Sequence, residues 1–160
     1  MDKSSVYIET SVVSYFTSRP SRDLIIAARQ QLTHEWWENY LPQAEAFIST
    51  LIIQESEMGD TEAAKSRLEA ISDLPVLELT EQVFELAKSL VETGPIPEEY
   101  FEDALHIAVA AVNAIHFLIT WNCHHINNPH MRPEIVRVVE SFGLECPVIC
   151  TPDEYMGGEQ

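Results

Sequence analysis

The sequence predicts an α/β fold of three layers, with helices on both faces of a central, mostly parallel five-stranded sheet. Short apolar runs alternate with longer amphipathic stretches along the chain, the pattern of repeated βα units. No internal repeat, low-complexity segment or interdomain linker divides it. The 160 residues suffice for one sizeable core and are too few for two ordinary domains. One domain is therefore expected over residues 1–155, followed by a flexible tail over 156–160.

Residues 5–9 (SVYIE) read as a first strand ending in an acid, with Thr10 or Ser11 placed to cap a turn of helix. The polar break SRPSRD leads to a helix over 24–40, stopped by Pro42. Residues 46–50 form a second strand, and 51–58 a short helix closed by Gly59. Asp60 caps a helix over 61–72. A third strand over 74–79 precedes a helix from Thr80 to about Thr93, ended by Gly94-Pro95-Ile96-Pro97. A strongly apolar helix follows over 98–114, then a fourth strand over 116–120. A last helix over 133–142 stops at Gly143, and a short strand over 147–150 completes the sheet.

Apolar residues make up 46% of the chain, which excludes disorder over most of its length. No run approaches the roughly 18 apolar residues needed to span a bilayer, and the first residues lead straight into a strand, so a cytoplasmic protein is expected. Nine basic against 26 acidic residues give a net charge of −17, which repels phosphate backbones at long range and suits a basic partner segment. Cys123, Cys146 and Cys150 are expected as free thiols. The strand-like PVI between the last two is not zinc-knuckle spacing.

In doubly wound folds, site residues gather outside the carboxyl ends of the strands. Four residues meet that rule: Glu9 after the first strand, Glu55 in the helix after the second, Asp103 near the start of the apolar helix, and Asn122 after the fourth strand. Metal-assisted hydrolysis needs such a set, because hard oxygen ligands hold Mg²⁺ or Mn²⁺ beside a scissile phosphate. Taken singly, each has an ordinary reading as a surface acid, a helix N-terminal charge or a turn residue.

The runs YIETSVVSY, STLIIQESEMG, DALHIAVAA and LITWNCHHI, in that order, resemble the PIN-domain family, VapC-type toxins in particular, over nearly the whole chain. The family's acids fall on Glu9, Glu55 and Asp103, and its fourth position on Asn122, after Thr120. The resemblance implies a metal-dependent endoribonuclease, a homodimer, and a cognate antitoxin protein. The family usually has Asp where this chain has Glu9, whose extra methylene extends the carboxylate by roughly 1.5 Å. Many relatives have Asp where Asn122 stands. These departures and the −17 charge support an alternative, a PIN-fold module that has lost catalysis and acts through a protein partner or weak RNA binding. A phosphoacceptor domain on a similar sheet is disfavoured, since no lysine follows Lys88.

Thr10, Ser11, Arg19, Arg22, Thr120 and His125 are the candidate substrate contacts. His106 shares a helix face with Asp103, and either phosphate contact, proton transfer or hydrogen-bonded packing suits it. Trp36, Trp37, Phe84 and Phe101 offer more large apolar groups than one core obviously needs, hence the expected dimer. Repulsion among clustered carboxylates further predicts that Glu9→Gln raises the melting temperature of the metal-free chain.

Overall fold

Five parallel strands lie in the order β3-β2-β1-β4-β5 in a computed structural model, which describes residues 3–157. The strands are β1 (Ser5–Ile8), β2 (Glu45–Ser49), β3 (Val76–Leu77), β4 (Phe117–Ile119) and β5 (Val148–Cys150). Eight α-helices accompany them among the described residues: α1 (Thr10–Thr17), α2 (Leu24–Asn39), α3 (Thr50–Ser56), α4 (Thr61–Ile71), α5 (Glu81–Glu92), α6 (Phe101–Val112), α7 (Arg132–Ser141) and α8 (Pro152–Gly157). The three-layer α/β/α expectation holds, and every strand pair is parallel. Buried on both faces, central β1 reads as an unbroken apolar run, Val6-Tyr7-Ile8, with no residue spared for solvent.

Connections from β1 lead to β2 and β3 on one side, and the chain then crosses to β4 and β5 on the other. The strand order therefore reverses between β1 and β4, and ligands of open α/β sheets bind at the carboxyl ends beside such a reversal. Ile8 pairs with Ile119, and the ladder runs one step further through Glu9 N–H to Ile119 O at 3.0 Å. The residues just past β1 and β4, Glu9 and Thr120, are thus neighbours at the switch point.

Several helix boundaries follow from the residues predicted to set them. Asp60 accepts from Ala63 N at the start of α4, and Thr80 from Val83 N at the start of α5. Gly143, at φ 72°, ends α7 in the left-handed region that glycine enters freely. Other boundaries moved. Neither Thr10 nor Ser11 caps α1; Glu9 does, accepting from Ser11 N. The predicted helix over 98–114 opens with a 3-10 turn, Glu98–Tyr100, before α6. The third strand shrinks to two residues at the sheet edge, where it pairs on one side only. Met156 and Gly157 belong to α8 rather than to a flexible tail, and 158–160 lie outside the described residues.

Trp36 is wholly buried in the core, so it is unavailable to an interface, whereas Trp37 stacks on Phe16 at 4.3 Å. Phe101 packs against the core from a half-buried position, and Phe84 is 44% exposed. Leu24 and Ile25 at the start of α2, 86% and 68% exposed, are more prominent outward apolar groups. The three cysteines are free thiols, and burial pushes Cys146 up to about 11 and Cys150 up to about 12. No helix among the described residues is long and apolar enough to cross a membrane.

Candidate active site

Glu9 leaves the end of β1 two residues beyond Tyr7, so the two side chains share a face of the sheet. Its carboxylate is buried but well supplied with donors. Oε1 accepts from Ser11 Oγ at 2.5 Å and from Thr120 Oγ1 at 2.6 Å, and Oε2 accepts from Ser11 N at 3.1 Å. Thr120 is itself fully buried, so its hydroxyl serves Glu9 and has no access to a ligand. Ser11 Oγ also accepts from Trp121 N at 2.9 Å, fastening the start of α1 to the segment after β4.

Glu55, in the last turn of α3, accepts at Oε1 from Thr10 Oγ1 at 2.5 Å and contacts His106 Nε2 at 2.8 Å. The other ring nitrogen of His106 is 2.8 Å from Tyr7 OH, which is 2.8 Å from Ser49 Oγ. A continuous chain, buried from Ser49 to His106 and half-buried beyond, therefore runs Ser49–Tyr7–His106–Glu55–Thr10, joining β2, β1, α6, α3 and α1. Desolvation alone would lower the His106 pKa, yet the bond to Glu55 and the charges of Glu9, Glu55 and Asp103 raise it above 6.5. For Glu55, burial acts upward, but the His106 bond and charge with the Thr10 hydroxyl hold it below 4.5. His106 is accordingly a packed, hydrogen-bonded histidine, and all three carboxylates act on it. Burial pushes the Tyr7 phenol well above its usual value, so it stays protonated and can pass hydrogen bonding along the chain.

Asp103 occupies the first turn of α6, and its Oδ2 is 3.1 Å from His125 Nδ1. Asn122 fixes that contact: its Oδ1 accepts from the backbone N–H of His124 at 3.2 Å and of His125 at 3.1 Å, an Asx-type turn. The amide oxygen expected as a metal ligand is thus already occupied by backbone donors. His125 also stacks on Tyr100, with centroids 3.8 Å apart.

Glu9, Ser11, Tyr100, Asp103, Asn122, His124 and His125 line one open groove of about 710 Å³ at this end of the sheet. The structure so brings together Glu9, Asp103, Asn122, Ser11 and His125. It leaves Glu55 beside the groove, tied in through His106 and Thr10. The donor chemistry suits a hard cation, being three carboxylates and an amide. Asp103 turns only one oxygen to His125, and Glu55 only one to Thr10 and His106, so each keeps a second oxygen for a further partner. As they stand, however, no three His, Cys, Asp or Glu side chains among the described residues are grouped closely enough to hold one ion.

Arg19 and Arg22 are exposed on the loop between α1 and α2 and do not line the groove. The buried Gln30 holds that loop, accepting from Ser21 N and donating to Arg19 O, both at 2.9 Å. Gln30→Ala is expected to cost about 1–2 kcal/mol and to speed tryptic cleavage at Arg19 or Arg22. Unchanged cleavage kinetics would show that the clamp does not order the loop. Tyr7, His106 and Tyr100 are the residues around the site least visible in sequence. Tyr7 reads there as one more apolar strand residue, and only the spacing of His106 from Asp103 offered a signal.

No protein-family model matches the chain, and no curated protein matches it.

Proposed function

We propose that the protein is a divalent-metal-dependent endoribonuclease of the PIN-domain type, hydrolysing RNA phosphodiester bonds. The observation that carries this reading is a set of three carboxylates, from the end of β1, the last turn of α3 and the first turn of α6, at the carboxyl edge of the sheet beside its switch point. Two of them, Glu9 and Asp103, face one open groove. Glu9, Glu55 and Asp103 would hold Mg²⁺ or Mn²⁺, with Asn122 shaping the loop beside it. A bound ion of this kind lowers the pKa of a water and stabilises charge on the phosphate.

The chain's own groups divide the remaining work. Ser11 and Thr120 hold the Glu9 carboxylate in one orientation, which removes a reorganisation cost when substrate arrives. His106 and Thr10 keep Glu55 ionised and aimed. His125 contacts Asp103 within the groove and is placed to bond a substrate oxygen or water there. Toxin action under a cognate antitoxin belongs to the same reading, as does a cytoplasmic location. The exposed Leu24, Ile25 and Ile26 offer a contact for a second copy or that partner.

One observation favours the alternative of a catalytically weakened binding module: the expected ligand oxygens of Glu9 and Asn122 are already occupied by internal donors. A single experiment separates the two. A mixed RNA pool is incubated with the protein in Mn²⁺, Mg²⁺ or EDTA, beside Asp103→Asn. Cleavage with either metal, none in EDTA, and a loss on the order of 100-fold or more in the variant is the expected result. Cleavage that survives EDTA, or an unaffected variant, would overturn the nuclease reading. No cleavage and no Mn²⁺-induced rise in melting temperature would leave the binding module.

A further inference from the structure

Tyr100 lies outside the acid set, and nothing in the proposed chemistry uses it. It ends the 3-10 turn Glu98–Tyr100 and precedes Asp103 by three residues, so the two stand about one helical turn apart. Its ring lies on His125 at 3.8 Å and 26°, and the same imidazole meets Asp103 at 3.1 Å. The Asn122 turn fixes His125 from behind. An aromatic pair is therefore locked to a carboxylate of the groove. Tyr100 nonetheless keeps 43% of its surface accessible, one of the few large apolar groups so exposed. His125 covers one face, so a base would stack on the other.

The charge around this ring determines what it can bind. Glu98, Glu99 and Glu102 flank it, all exposed, and no lysine or arginine lines the groove. Such a wall cannot follow a phosphate backbone by counterion release. It can stack a base, because every base has a π-face and stacking needs no cation. In an A-form duplex the bases are stacked on one another and their faces are covered, whereas unpaired bases can splay out onto an aromatic ring.

We propose that Tyr100, backed by His125, is a nucleobase platform that takes one unpaired base of single-stranded RNA beside the groove carboxylates. The proposal rests on the ribonuclease reading for its choice of ligand and predicts preference for single strands. It also predicts binding that weakens little with salt.

The test uses the full chain and a short single-stranded RNA carrying 2-aminopurine, with Ca²⁺ in place of Mn²⁺. Stacking on Tyr100 should quench the fluorescence, and the same sequence in a duplex should bind at least about tenfold more weakly. Tyr100→Ala should lose roughly 5- to 150-fold in affinity, the range for one stacked base. Tyr100→Phe and Tyr100→Trp should retain binding, and Phe84→Ala, on an exposed ring outside the groove, should match wild type. A Tyr100→Ala protein that binds like wild type overturns the platform, as does a salt dependence as steep as that of a phosphate-tracking protein. Cleavage in Mn²⁺ with undiminished Tyr100→Ala affinity defeats the platform and leaves the nuclease standing. Stacking without cleavage under any metal defeats the nuclease reading and keeps the platform.

Discussion

Glu9→Gln is expected to lower the melting temperature of the metal-free protein, the reverse of what charge repulsion alone predicts from sequence. The reason is the donor count. The Glu9 carboxylate receives two hydroxyls on Oε1 and a backbone N–H on Oε2. An amide has one oxygen and one NH₂, so either the hydroxyl pair or the Ser11 N–H must face another donor. In a side chain only 6% exposed, that mismatch costs about 1–3 kcal/mol. Relief of repulsion is smaller here, because the neighbouring acids raise the His106 pKa and so favour the charged ring that offsets them. At about 2–4 °C per kcal/mol, the loss should be readily visible in calorimetry with EDTA present. Glu9→Asp should fall between, since Asp caps helices well but is roughly 1.5 Å too short to serve both Ser11 and Thr120. In the same series, Mn²⁺ binding and any cleavage should fall most steeply in Gln. A rise in the apo melting temperature of Glu9→Gln would show that repulsion dominates after all.

The contrast between Glu9 and Glu154 shows what the sequence made legible. Strand positions, the cap at Asp60, the helix start at Thr80 and the stop at Gly143 follow from local chemistry within a few residues, and all appear in the structure. α8 had a local signal too, a Thr-x-x-Glu box at Thr151-Pro152-Asp153-Glu154. Glu154 Oε1 accepts from Thr151 N at 2.9 Å and Glu154 N donates to Thr151 Oγ1 at 3.4 Å. Glu9 as a cap was harder, since capping rules favour Ser, Thr, Asp and Asn. The Tyr7–His106 and Tyr7–Ser49 bonds span 99 and 42 residues, and no local pattern encodes them. Their existence depends on which face of β1 carries α6, a property of the assembled sheet. The convergence of Glu9, Asp103 and Asn122 on one groove was legible in sequence because strand ends converge in any doubly wound fold. What each side chain is bonded to there was not.

His106 carries the largest predicted effect on stability. It is 1% exposed and links Glu55 to Tyr7, so His106→Ala leaves a half-buried carboxylate without its imidazole partner and opens a hole beside Tyr7. Breaking such a pair from one side costs about 3 kcal/mol, at the lower end of the buried range because the Glu55 side chain is 28% exposed. The pH dependence gives a sharper signature. His106 has its folded pKa raised above 6.5, so it contributes stability that is full below pH 6.5 and is lost as pH rises through the folded value. Glu55, depressed below 4.5, contributes stability that is present above pH 4.5 and is lost as pH falls through its folded value. The metal-free protein should therefore be most stable between about pH 4.5 and 6.5. The acid side is shared with Glu154, which burial would raise but which bonds from Thr151 and Asn127 hold low, so it does not single out the pair. The alkaline side does. In denaturant titrations with EDTA, wild type should lose stability above pH 6.5, and His106→Asn, lower throughout, should show that slope largely flattened. A His106→Asn profile parallel to wild type would mean that the imidazole is neutral in the fold and meets Glu55 as an uncharged donor.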